Sequence, residues 1–414
     1  MKKPKVINQI YKSGFASEII LKPEFNQKFM GIIVDFGSSD PQEVAGSAHF
    51  LEHKLFSKKD GDLSQKFEDL GADVNAFTSF NETMYYCSGV DHVRKLIQLL
   101  FQLVGEPYFT KKNVKNEIPI IQQELAMYQN SPNWIITNTL MSEMFNNSKL
   151  AIDVVGTQDT IAQMTVSKLK QVYEANYFAK NMRFVTAGDF SETETQMILN
   201  LVDKLQRKYF HSLKQEVSPN HNRVIGKFGD IKLAKKAESN LFGVGLYLPN
   251  FAKIKNSLDL AQIVLEIMLE AKLGIMSSWY KDMRKKGLLT TPLQISVNYT
   301  RQGNFVTIYG VSEQSKKAIS AIKSEIDDLF KSVDTYYLKE YFELKKKDWL
   351  AQTIRSLNDL SYLAIERAEE MLGNENLFTN IQNLQLMNFD NFISSTKKLM
   401  HEYQACSAYF AKED

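Results

Sequence analysis

Two histidines four residues apart, His49 and His53, with a glutamate just before the second, give the segment His49-Phe50-Leu51-Glu52-His53. Side chains at i and i+4 lie on one face of an α-helix within reach of each other, so a helix here would bring the two imidazoles together. Neutral imidazole is a good zinc ligand, and two on one helix face can share one ion. A carboxylate beside them can take a proton from water that zinc has acidified to a pKa of about 7. H-x-x-E-H is the inverzincin order. Taken alone, the same stretch also reads as two surface or capping histidines on an ordinary helix.

A catalytic zinc site needs a third protein ligand and an open position. Glu117-Ile-Pro-Ile-Ile-Gln-Gln-Glu124 offers two carboxylates seven residues apart, hence on one helical face. Pro119 lies between them and removes a backbone donor, so a kink is expected there. Glu124 follows His53 by 124 − 53 = 71 residues. Between them runs Asn75-Ala76-Phe77-Thr78-Ser79, strand-like with polar ends. At this point the chain resembles the pitrilysin or insulinase family of zinc metallopeptidases. Its members carry H-x-x-E-H, then an N-A-x-T strand, then E-x6-E at this distance. Ala48 to Phe56, Asn75 to Thr78, Glu117 to Glu124 and Val155-Gly156-Thr157 all fit in order and spacing. The likeness is to the short bacterial members of YmfH type. It is good over residues 15–190 and holds only in outline beyond.

The resemblance implies an α+β fold of the mitochondrial-processing-peptidase-like type: two similar domains, each a mostly antiparallel sheet packed against helices. It implies a metalloendopeptidase with one zinc per chain on His49, His53 and Glu124. Glu52 would be the general base, then the acid toward the leaving amine. Glu117 would hydrogen-bond a ligand and hold its orientation. A peptide substrate would add as a strand along Asn75, Ala76, Phe77 and Thr78, with Phe77 near a side-chain pocket. Many members also carry an Arg and a Tyr in the second domain that hold the substrate carbonyl. Arg284 fits, but Thr290 stands where Tyr is expected, and its shorter hydroxyl cannot replace a phenol as oxyanion donor. Short members often work in pairs, so a homodimer or a heterodimer with a paralogous subunit is expected. The rival readings are a non-catalytic peptide-binding or scaffold subunit, a ribosylhomocysteine lyase and a structural zinc site. Silent subunits typically lose the motif, which is intact here. The lyase is a single short domain with a Cys ligand, and structural zinc sites are usually rich in Cys.

At 414 residues the chain is too long for one compact core, and two domains are the natural division. The expected boundaries are 1–210 for the zinc-binding domain, 211–228 for a linker around Ser218-Pro219-Asn220, and 229–414 for a similar domain without the motif. The helix in the matching place of the second half reads Leu265-Glu266-Ile267-Met268-Leu269-Glu270 and has no histidine. Helices are expected at 44–56, 63–70, 92–105, 111–129, 133–146, 166–178, 191–206, 257–273, 277–286, 313–331 and 336–371. Strands are expected at 17–24, 28–36, 73–79, 82–90, 182–188, 229–236, 240–248, 292–299, 303–310 and 404–411. A formal net charge of +2 without a basic block argues against nucleic acid. Cys87 and Cys406 form no ligand spacing or disulfide framework, which suits a reducing cytoplasm. Neither a signal peptide nor an apolar run of about 20 residues is present, so no membrane span is expected and the cytoplasm is the default address.

Overall fold

The computed structural model describes residues 3–146, 148–211, 226–234, 240–249, 258–331, 335–372 and 376–410. The chain opens with strands β1 (Lys5–Ile10), β2 (Ala16–Leu21) and β3 (Lys28–Val34), then helix α1 (Ser47–Phe56). A small hairpin, β4 (Ser57–Lys58) and β5 (Gly61–Asp62), leads to α2 (Ser64–Glu68), β6 (Asp73–Thr78) and β7 (Thr83–Gly89). Helices α3 (Val93–Gly105), α4 (Lys111–Gln129), α5 (Pro132–Met144), α6 (Gln158–Ala162) and α7 (Val166–Asn176) follow. Then come β8 (Met182–Gly188) and α8 (Glu192–Tyr209). The second half runs β9 (Asp230–Leu233), β10 (Leu241–Tyr247), α9 (Leu258–Leu273), α10 (Ser278–Lys285), β11 (Gln294–Tyr299) and β12 (Asn304–Val311). It ends with α11 (Ser315–Asp327), α12 (Thr335–Ser356), α13 (Leu360–Met371), α14 (Leu377–Leu386), α15 (Phe389–Leu399) and β13 (Gln404–Phe410).

The contacts fall into two compact units. The first takes Met1–Leu125, Asp153–Asn220 and Thr353–Phe378; the second takes Ala126–Ile152, His221–Gln352 and Thr379–Asp414. Residues 212–225, most of the expected linker, lie outside the described residues. The first unit's sheet runs β1-β2-β8-β3-β7-β6, antiparallel except for β2 beside β8. The second unit's sheet runs β9-β13-β10-β12-β11, antiparallel except for β9 beside β13. Strand for strand, the second repeats β2-β8-β3-β7-β6 of the first, including its one parallel pair. This is the expected α+β fold.

The central strands show why the sheets sit where they do. Phe29 to Val34 of β3 are all buried, because α3 and α13 both pack on this strand. A strand covered on both faces carries a continuous apolar run instead of an alternating one. In the second unit α5 lies on β10 and β13, as α13 lies on β3 and β8 in the first. Each sheet is therefore covered by a helix that comes from the other half of the sequence. Two departures from the expected elements have local causes. Helix α1 begins at Ser47, not Val44, because Gly46 takes the left-handed conformation at φ 85°. The stretch 336–371 is two helices, because Asp359 Oδ1 accepts from the Ser361 and Tyr362 amides and starts α13 afresh. Strand β1 is largely exposed and lacks the alternation that marks a half-buried strand. Helices α6, α14 and α15 were likewise not expected. Helix α4 continues through Pro119 to Gln129. Among the described residues no helix is long and apolar enough to cross a membrane.

Candidate metal centre

The start of α1 is locked by the loop after Asp153. A Cβ on Gly46 would sit 2.3 Å from the Val155 carbonyl oxygen. A Cβ on Gly156, at φ 94°, would in turn sit 2.8 Å from the Ala45 carbonyl oxygen. Only glycine fits both places. Thr157 then caps α6 by exchanging hydrogen bonds with Thr160. The next residue ties α6 to α4: the Gln122 amide donates to the Gln158 carbonyl at 3.2 Å, and the Gln158 amide returns the bond at 3.1 Å. The Val155-Gly156-Thr157 segment thus sets α1 and α4 against each other. Helix α1 buries Ala48, His49, Phe50, Leu51, Lys54 and Leu55.

This framework brings three side chains to one point. His49 Nε2 is 3.7 Å from Glu124 Oε1, and His53 Nε2 is 3.6 Å from Glu124 Oε2. One ligand atom from each of His49, His53 and Glu124 lies within 4.8 Å of the others. The two contacts are too long for hydrogen bonds. Donors bonded to one tetrahedral zinc at about 2.0–2.1 Å stand about 3.4 Å apart, so both histidine–glutamate spacings are close to what a shared ion requires. The chemistry of the set fits as well. Burial, then the neighbouring His53, pushes His49 down to about 3, so its ring is neutral. A neutral ring has the lone pair a metal needs. His49 Nδ1 is buried and has no hydrogen-bond partner. Burial also opposes charge on His53, but the Glu117 bond and the carboxylates of Glu52, Glu124 and Glu117 outweigh it and raise its pKa.

Around this set the other expected residues take separate places. Glu117 Oε1 is 3.3 Å from His53 Nδ1. Burial alone would raise the Glu117 carboxyl, but hydrogen bonds from His53 and Lys54 outweigh it and hold it below the ordinary range. Glu52 is raised above that range, chiefly by burial. Its Oε2 accepts a hydrogen bond from the Thr78 hydroxyl at 2.5 Å. Thr78 ends β6, which pairs with β7 on one side and forms the sheet edge on the other. Asn75 is exposed, while Ala76, Phe77 and Thr78 are half-buried along this edge. Arg284 lies in the second unit at the end of α10, exposed, with its guanidinium on the Thr290 carbonyl oxygen. The Thr290 hydroxyl donates to the Val311 carbonyl at 3.0 Å. Lys54, which sequence reasoning passed over, is buried beside Glu117. Its only signal was a charge inside a helix otherwise committed to the core.

Comparison with known proteins finds two family matches along the chain. Residues 21–158 match the family described as Insulinase (Peptidase family M16). Residues 163–344 match the family described as Peptidase M16 inactive domain. YmfH of Bacillus subtilis, called an uncharacterized zinc protease, is 29% identical over 374 residues, covering 85% of this chain and 84% of its own. YmxG of the same organism, also called a zinc protease, is 27% identical over 177 residues, 41% of this chain and 43% of its own. Among solved structures, a protease from Helicobacter pylori superposes with TM-score 0.84 at 17% identity over 99% of this chain and 100% of that one. Pitrilysin superposes with TM-score 0.76 at 17% identity over 99% of this chain and 45% of that one. Both likenesses concern the fold.

Proposed function

The chain belongs to the insulinase family, peptidase family M16, and on that premise we propose that it is a zinc-dependent endopeptidase. What carries this reading is the convergence of His49, His53 and Glu124 from two helices. These residues would hold one zinc ion, and the named relatives are zinc proteases. Bound there, zinc would supply Lewis acidity that polarises a peptide carbonyl and acidifies water.

The remaining roles fall to the chain's own groups. Glu52 takes a proton from the attacking water and passes it to the leaving amine. A carboxyl raised by burial is suited to that exchange near neutral pH. The Thr78 hydroxyl holds Oε2, which leaves Oε1 to carry the proton. A peptide adds to the open side of β6, held by main-chain hydrogen bonds with broad sequence tolerance. Because Thr78 joins the end of β6 to Glu52, a chain lying along Asn75, Ala76 and Phe77 is delivered to the base. Glu117 keeps the His53 ring oriented. Arg284 contributes to substrate binding, while Thr290 offers no phenol. A second subunit, either another copy or a paralogue, would supply the missing oxyanion donor.

Metal analysis with peptide digestion tests the assignment. Glu52→Gln should keep zinc and lose turnover by a factor of a hundred or more, in line with the usual general-base contribution of about 10²–10⁴. His49→Ala should lose both. Peptide cleavage by Glu52→Gln at the wild-type rate would sink the reading. Full activity of an isolated monomer would remove the second subunit from it.

A further inference from the structure

We infer that Lys54, on the reading of His49, His53 and Glu124 as zinc ligands, is a positioning residue: its buried ammonium fixes the Glu117 carboxylate, which in turn fixes the His53 ring. Lys54 is 2% exposed, at the inner face of α1. Lysine is almost never fully buried unless paired, so this ammonium has to be satisfied inside the fold. Nζ donates 2.7 Å to Glu117 Oε2 and 2.9 Å to Ser57 Oγ, just past the end of the helix. The other oxygen of the same carboxylate, Oε1, faces His53 Nδ1 at 3.3 Å. Glu117 is thus pinned at one oxygen and works with the other.

The arrangement selects a tautomer. With Oε2 occupied by the ammonium, Oε1 accepts from Nδ1–H of His53, and the lone pair falls on Nε2, the atom that faces Glu124. The charges also balance. Glu52, Glu117 and Glu124 bring three negative charges and Lys54 one positive, so a divalent cation between neutral imidazoles completes a sum of zero. An uncompensated charge in such a part-buried cluster is destabilising. Lys54 is what lets a third carboxylate stand beside the metal without a surplus.

Zinc alone is the probe. The full chain is stripped of metal and titrated against a chelator of known affinity as wild type, Lys54→Met, Glu117→Gln and the double variant. Lys54→Met should bind zinc about tenfold more weakly, the usual effect of losing an outer partner of a metal ligand. The double variant should bind no more weakly than Glu117→Gln, because Lys54 acts through Glu117. In the metal-free protein, at a pH high enough to leave the ring neutral, nitrogen-15 spectra should show His53 protonated at Nδ1 in wild type and as a mixture of tautomers in Lys54→Met. Where Lys54→Met does not fold, Lys54→Gln keeps a donor without the charge and serves the same comparison. A lowered melting temperature with unchanged zinc affinity overturns the proposal, as do losses that multiply in the double variant. If wild type itself takes up no zinc, the metal reading fails first and this inference falls with it.

Discussion

Thr78 joins the sheet edge to the base, and a single oxygen does it. Replacing it by valine keeps the shape of the side chain and removes the bond to Glu52 Oε2. A hydrogen bond to a charged group contributes about 1.5–3 kcal/mol, so Thr78→Val should lower kcat roughly tenfold or more while zinc content stays at one per chain. Steady-state peptide hydrolysis with metal analysis checks it, and an unchanged kcat would detach Thr78 from the base. At this scale the sequence was readable where a ligand's chemistry demands a spacing. His49 and His53 announce themselves four residues apart with Glu52 beside the second, and Glu124 came with the likeness to the family's E-x6-E segment. Lys54 was unreadable for a physical reason. A lysine on a helix normally reaches solvent, and only a carboxylate from residue 117, distant in sequence, makes its burial tolerable.

Helix α1 can present its ligands only if it starts at the right residue. Gly46 sets that start, and its left-handed backbone and the Val155 carbonyl oxygen 2.3 Å from any added Cβ leave no room for a side chain. Gly46→Ala combines strain of about 1–3 kcal/mol with a backbone clash, so a loss of roughly 2 kcal/mol or more is expected, together with weaker zinc binding. The midpoint of urea unfolding measures the first and chelator competition the second. Wild-type values for both would mean that the loop at Val155 moves aside freely. The small residues before the motif, Ala45, Gly46 and Ala48, were legible as room for close packing. Their helical start was not, since a glycine preceding a helix and one inside it look alike until the φ angle is known. The break between α12 and α13 was hidden similarly: residues on both sides keep a helical apolar rhythm, and only the Asp359 cap reveals the restart.

The repeated order of elements was legible across the whole chain, and the two sheets repeat it strand for strand. Even the place of Glu52 has a counterpart: in the second unit Glu266 of α9 is raised chiefly by burial and accepts a backbone bond from Val297 of the edge strand β11. No histidines accompany it. What could not be read was which sheet each helix covers, since an apolar face records that it is buried, not against what. Helix α13 reaches the first unit's sheet from late in the sequence, and a charge cluster holds it there. Arg367 Nε and Nη2 each donate to a different oxygen of buried Glu18 on β2 at 2.6 Å, and Arg367 Nη1 contacts Glu370. One guanidinium bonds both carboxylates, but its single positive charge cannot balance two negative ones. Burial dominates at Glu370, and its carboxyl is pushed up to about 7 despite the Leu377 amide and Arg367. A folded-state pKa above the ordinary 4.5 means that the folded protein holds this proton more tightly than the unfolded chain does. The stabilisation is therefore complete below about pH 4.5 and is lost as pH rises through about 7, on the order of 3 kcal/mol at most. Unfolding free energy measured between pH 5 and 8 should fall along that course in wild type. Glu370→Gln should flatten the slope, because its amide carries no proton to lose, and an equal slope in both proteins would assign the pH dependence to another group.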